Sequence, residues 1–136
     1  LLGVMIGGPL AGLLPPTELD TPFTYEALHA IGGAVGHGGV IAFADDTSIG
    51  ALIAEVFRFG AGESCGLCVP CHLGTRELGD AFTRVVGGQP AIGRKRWQQL
   101  ITALERTSLC GHGSGLAEFA RSIERHYPEE LAACLE

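Results

Sequence analysis

The stretch Glu63-Ser64-Cys65-Gly66-Leu67-Cys68-Val69-Pro70-Cys71-His72-Leu73-Gly74 decides how the rest of this chain is read. Three cysteines three residues apart let one short loop present three sulfurs to a single centre. Gly66 permits a backbone angle that other residues resist. Pro70 stiffens the loop and removes a backbone donor. A helix starting near Cys71 would point its positive end at the sulfurs and favour their thiolate form.

A cubane iron–sulfur cluster needs four thiolates, and no further cysteine follows Cys71 at the ferredoxin spacing. The next is Cys110, in Thr107-Ser108-Leu109-Cys110-Gly111-His112-Gly113. A helical hairpin between the two segments would return it to the loop. Three readings remain open on the residues alone. The first is a [4Fe–4S] cluster on Cys65, Cys68, Cys71 and Cys110. The second is a structural zinc on the three loop cysteines plus Cys110 or His72, although zinc sites favour paired hooks separated by a longer loop. In the third the cysteines bind nothing; a disulfide switch using Cys68 and Cys71 is a weaker variant that leaves the rest of the motif unexplained. Cys134 lies on an apolar face with Leu131 and Leu135 and reads as a small buried hydrophobe.

Composition excludes several function classes. Hydrophobic residues are 46% and charged ones 18%, so the chain supports a core and lacks the signature of disorder. The net charge of −6 argues against a nucleic-acid partner. The one basic cluster, Arg94-Lys95-Arg96, reads as a solvated helix start. No charge precedes Glu18, but the glycines and prolines of that stretch break any membrane helix, so no direct membrane insertion is expected. Five cysteines, an odd count, with no secretory signal suit a reducing, cytoplasmic compartment. A start at Leu1 rather than Met is taken as a truncation.

Residues 1–45 hold short apolar runs between Gly and Pro, such as Leu2–Ile6 and Val40–Ala44, and suit short strands; residues 24–31 allow a turn or two of helix. From residue 46 the period becomes helical. Asp46 or Thr47 is expected to cap a helix bearing Ile49, Leu52, Ile53, Val56 and Phe57, ended by Gly60 and Gly62. A second carries Thr75, Leu78, Phe82 and Val85 and stops at Gly87-Gly88. A third carries Trp97, Leu100, Ile101 and Leu104. A fourth is expected from near Ser114, with Leu116, Phe119, Ala120, Ile123 and Tyr127; Pro128 ends it and opens a short final helix. Short connections between these helices suggest a small bundle.

Other polar groups carry bland readings. His72 and His112 flank ligand candidates and read as packing or surface residues beside a loop, with cluster tuning as the functional alternative. His29 and His126 read as helix-surface residues. Asp45-Asp46 read as a helix N-terminus rather than an acid/base pair. Glu63 reads as a turn cap, and Trp97 as core rather than an electron relay.

The cysteine segment, followed about forty residues on by Ser108-Leu109-Cys110-Gly111, resembles the NADH-binding flavoprotein subunit of respiratory complex I. The same module occurs in the diaphorase subunit of NAD-linked hydrogenases and the beta subunit of NAD-dependent formate dehydrogenases. Gly7-Gly8-Pro9, Gly12 and Gly36-His37-Gly38-Gly39-Val40-Ile41 add to the likeness.

The resemblance implies an α+β fold: residues 1–45 end a small β-grasp-like (SLBB-type) domain, and residues 46–136 form a four-helix bundle around the cluster. It implies electron transfer from FMN, reduced by NADH in an upstream domain, through the cluster on Cys65, Cys68, Cys71 and Cys110. Implied partners are a thioredoxin-like [2Fe–2S] subunit and a larger catalytic subunit or complex. The 136 residues alone are expected to bind no nucleotide and catalyse nothing. Leu67 and His72 replace residues that are commonly basic in the family, and His37 a serine. Together with the segment after Cys110, they lean towards a soluble formate dehydrogenase or hydrogenase diaphorase.

Overall fold

The computed structural model describes residues 1–136, a helix-rich α+β chain with one small sheet. Three antiparallel strands, β1 (Gly3–Ile6), β2 (Leu13–Leu14) and β3 (Val40–Phe43), lie in the order β2-β1-β3. Strand periodicity sends neighbouring side chains to opposite faces. The paired Met5 and Leu13 therefore join the main core. The paired Val4 and Leu14 join Leu28 of α1 (Tyr25–Ala30) in a second, smaller cluster. Val40 and Ile41 on the outer strand stay exposed.

The main core lies among α2 (Ile49–Gly62), α3 (Val69–Val86), α4 (Arg94–Thr107), α5 (Gly111–His126) and the short α6 (Pro128–Cys134). Every apolar position expected from the helical period on α4 is buried: Trp97, Leu100, Ile101 and Leu104. Its centre is aromatic. Phe57 meets Trp97 and Phe119 edge-on, each at 6.3 Å between ring centres, and Phe82 lies 5.3 Å from Trp97. These separations are the favourable range for aromatic pairs. Trp97 donates its indole N–H to Glu124 at 2.7 Å, so the buried ring leaves no polar atom orphaned.

Several boundaries differ from the sequence reading. Ser48, not Asp46 or Thr47, caps α2, accepting from the Ala51 amide at 3.2 Å. Asp45 likewise does not cap it. Gly60 does not end α2. A methyl group there would lie 2.5 Å from Leu116 Cδ1, so this glycine permits close approach of α2 and α5. Helix α5 begins at Gly111 rather than near Ser114. Strand β2, two residues long, falls in Leu13-Leu14, where no strand was expected. His126 is tied in, its Nε2 2.7 Å from the Ile31 carbonyl, rather than lying free on the surface. No helix is long and apolar enough to cross a membrane.

Candidate metal centre

The loop from Glu63 to Cys68 leaves the C-terminal end of α2 and enters α3. Gly66 sits at φ +79°, a left-handed conformation that strains any residue with a Cβ. Cys65 is exposed at the loop's outer side. Cys68 occupies the N-cap of α3, with Val69 and Pro70 opening the helix. Proline fits there because the first-turn amides have no partner within the helix. Cys71 follows in the same turn and is buried.

Cys110 stands in the corresponding place on α5, at its N-cap. Two helix N-termini therefore converge on the thiols, where the sequence reading anticipated one. Both concentrate positive potential on that side. The approach is close: a methyl group at Gly113 would lie 3.3 Å from Cys71 Cβ and 2.1 Å from Ser108 Oγ. The His112 ring fastens this end of α5 to α2, with Nε2 2.8 Å from the Gly60 carbonyl.

The thiols respond to one another and to the backbone. The Leu109 amide, aided by that of Cys71, draws the Cys68 thiol below its ordinary pKa. Burial pushes Cys71 up. The Ser64 hydroxyl, 3.4 Å from Cys71 Sγ, opposes that shift, and negative charge on Cys68, Cys110 and Cys65 adds to it. Cys71 thus feels all three other cysteines of the motif. Cys134 is remote and buried, packed where a methyl on Gly50 would touch its sulfur at 3.0 Å.

This donor set fits an iron–sulfur cluster. Cys68 and Cys110 stand at two helix N-caps, Cys71 in the first turn of α3 and Cys65 in the loop before it, and two enclosed polar atoms of neighbouring residues, His72 Nδ1 and Ser108 Oγ, have no protein partner. Sequence reasoning gave Ser64 and Ser108 no role, although each stands beside a cysteine hook in the motif. It also had no means to find the Leu109 amide, because backbone donors carry no residue-type signal.

The model of the NADH-ubiquinone oxidoreductase-F iron-sulfur binding region matches residues 51–134. The chain belongs to this iron–sulfur binding family. Relatives that share the region with it include the NADP-reducing hydrogenase subunit HndC of Solidesulfovibrio fructosivorans, 29% identical over 93% of this chain and 28% of that protein. An F-type subunit of the NADH-quinone oxidoreductase of Rhizobium meliloti (strain 1021) is 28% identical over 98% of this chain and 32% of that protein. The crystal structure of an NAD+-reducing [NiFe]-hydrogenase superposes with a TM-score of 0.82 at 28% identity, covering 99% of this chain and 23% of its counterpart. This member of the family thus spans about a third or less of the relatives it matches. They belong to NADH dehydrogenase and hydrogenase assemblies, and the iron–sulfur binding region supports an electron-transfer role for the chain.

Proposed function

We propose that Cys65, Cys68, Cys71 and Cys110 hold one [4Fe–4S] cluster, and that this chain is the electron-transfer segment of an NADH-linked flavoprotein subunit. The observation that carries this reading is that Cys68 and Cys110 occupy the N-caps of α3 and α5, whose first turns approach each other at Cys71 and Gly113, with the Ser64 hydroxyl 3.4 Å from Cys71 Sγ. When bound, the cluster supplies a one-electron carrier. The chain supplies the rest. Cys68 and Cys110 anchor from helix N-caps, Cys71 from the buried first turn, and Cys65 from the exposed loop. Loop and helix amides donate to sulfur, which raises the reduction potential.

The wider assignment rests on the relatives. FMN and NAD belong in an upstream domain, with a thioredoxin-like [2Fe–2S] subunit and a larger catalytic subunit as partners in a cytoplasmic complex. Residues 1–45 form the end of a β-grasp-like (SLBB-type) domain and residues 46–136 a four-helix cluster-binding bundle. The departures at Leu67 and His72 lean towards a soluble hydrogenase or formate dehydrogenase diaphorase, although the relatives include both hydrogenase and NADH-quinone oxidoreductase subunits.

The competing reading is a zinc-stabilised assembly module without redox activity. Anaerobic reconstitution of the chain with iron and sulfide decides between them. About four irons per chain are expected. A paramagnetic signal is expected after dithionite reduction, and it should be lost in Cys110→Ala and in each loop Cys→Ala variant. Stoichiometric zinc with no reducible signal overturns the proposal.

A further inference from the structure

Buried polar side-chain atoms are almost always hydrogen-bonded, and each exception calls for an explanation. This chain has two, and each lies within two residues of a ligand candidate. Ser108 Oγ and His72 Nδ1 are enclosed and have no partner. Ser108 ends α4, two residues before Cys110, and its hydroxyl sits over Gly113 on the side that also meets the Cys71 side chain. His72 follows Cys71, and its Nδ1 lies 3.6 Å from where a methyl on Gly66 would stand, beneath the turn that joins Cys65 to Cys68. One orphan therefore lies at the α4–α5 corner beside the Cys71 side chain, and the other in the first turn of α3, facing the turn between Cys65 and Cys68.

The neighbouring groups that could have satisfied them are engaged elsewhere. The Ser64 hydroxyl contacts Cys71 Sγ and accepts from the Gly66 amide at 3.3 Å. His112 is held by the Gly60 carbonyl. A hydroxyl and a ring nitrogen left free beside the cysteine segments match what an anionic sulfur cage lacks, which is donors, in the tautomer that puts the ring proton on that nitrogen.

We propose that Ser108 Oγ–H and His72 Nδ1–H are hydrogen-bond donors to the sulfurs of the bound cluster and raise its reduction potential. The proposal rests on the cluster reading above. It assigns a function to His72, whose resemblance-based expectation was a basic residue, and to a serine that the motif alone leaves silent. Donors to sulfur favour the more negatively charged, reduced state, so their loss lowers the potential.

The test compares the full chain with Ser108→Ala, His72→Phe and the double variant. Two quantities are measured: the midpoint potential of the reconstituted cluster, by redox titration followed by paramagnetic resonance, and the thermal unfolding of the metal-free forms. Each single change is expected to lower the reduction equilibrium constant about tenfold, which is about 59 mV for one electron. Metal-free Ser108→Ala is expected to unfold at the wild-type temperature or above it, because it removes an orphaned group and no bond. A merely structural serine would give the opposite pattern, a destabilised metal-free chain with an unmoved potential. A Ser108→Ala cluster with the wild-type potential overturns the proposal even if His72→Phe fails to fold. If the wild-type chain takes up no reducible cluster, the ligand assignment itself fails and this proposal falls with it.

Discussion

At the scale of single residues, the cysteine site depends on a glycine that touches no cofactor. Gly113 lies in the first turn of α5, where a Cβ would fall 2.1 Å from Ser108 Oγ and 3.3 Å from Cys71 Cβ. Gly111, two residues earlier in the same helix, has open space around it. Alanine generally favours a helix over glycine, so Gly111→Ala is expected to be neutral or stabilising. Gly113→Ala is expected to cost about 1–3 kcal/mol through overpacking, and to weaken iron retention by pushing Cys110 away from Cys71. Denaturant unfolding of the metal-free chains and iron content after reconstitution check both; equal behaviour of the two variants would contradict the crowding seen at Gly113. The cysteine pattern was legible from the sequence because its spacing is unusual. Gly113 was not, because Gly-His-Gly-Ser-Gly has the composition of a loop and only the approach of α3 shows what the small residue is for.

At the scale of elements, apolar periodicity located α2 to α5 because each buries one stripe against a shared core, and that stripe survives errors at the ends. Helix ends were less legible. Four consecutive polar residues, Asp45 to Ser48, all have side chains able to cap, and the choice among them depends on where the chain leaves β3. Ser48 wins because its backbone is extended at φ −73°, ψ 122° with its hydroxyl 3.2 Å from the Ala51 amide. Ser48→Ala is expected to destabilise the chain by about 1 kcal/mol, whereas Asp46→Ala and Thr47→Ala should lie within about 0.5 kcal/mol of wild type. Urea midpoints at unchanged slope would measure this. An Asp46 variant as costly as the Ser48 one would restore the sequence reading. The early start of α5 has a tertiary cause: the His112 bond to the Gly60 carbonyl holds a turn whose own glycines disfavour helix.

At the scale of the whole molecule, the first 45 residues and the helices after them are joined by bonds that no local pattern reveals. The Leu13 amide donates to Ser122 Oγ at 2.9 Å, Arg125 donates to the Ala30 carbonyl at 2.9 Å, and Tyr127 donates its hydroxyl to the Leu2 carbonyl at 2.9 Å. The change of character near residue 45 was legible as composition, but these contacts span most of the chain length. Tyr127 gives the union a pH signature. Burial, with a smaller contribution from Glu130, raises its pKa to about 12 from the ordinary 10. The folded state then holds a proton that the unfolded state releases, so the stabilisation is full below pH 10 and is lost as pH rises to about 12. Two pKa units correspond to roughly 2–3 kcal/mol. The buried Cys71 and Cys134 thiols, also raised, act with the same sign from lower pH, so the Tyr127 share is read from a difference between proteins. At pH 8, Tyr127→Phe should be about 1 kcal/mol less stable than wild type through the lost hydrogen bond. Between pH 10 and 12 the wild type should lose the larger amount and the gap should close or invert. Denaturant unfolding of both metal-free proteins across that range measures it, and parallel curves would show that the Tyr127 hydroxyl is not enclosed at the junction of sheet and helices.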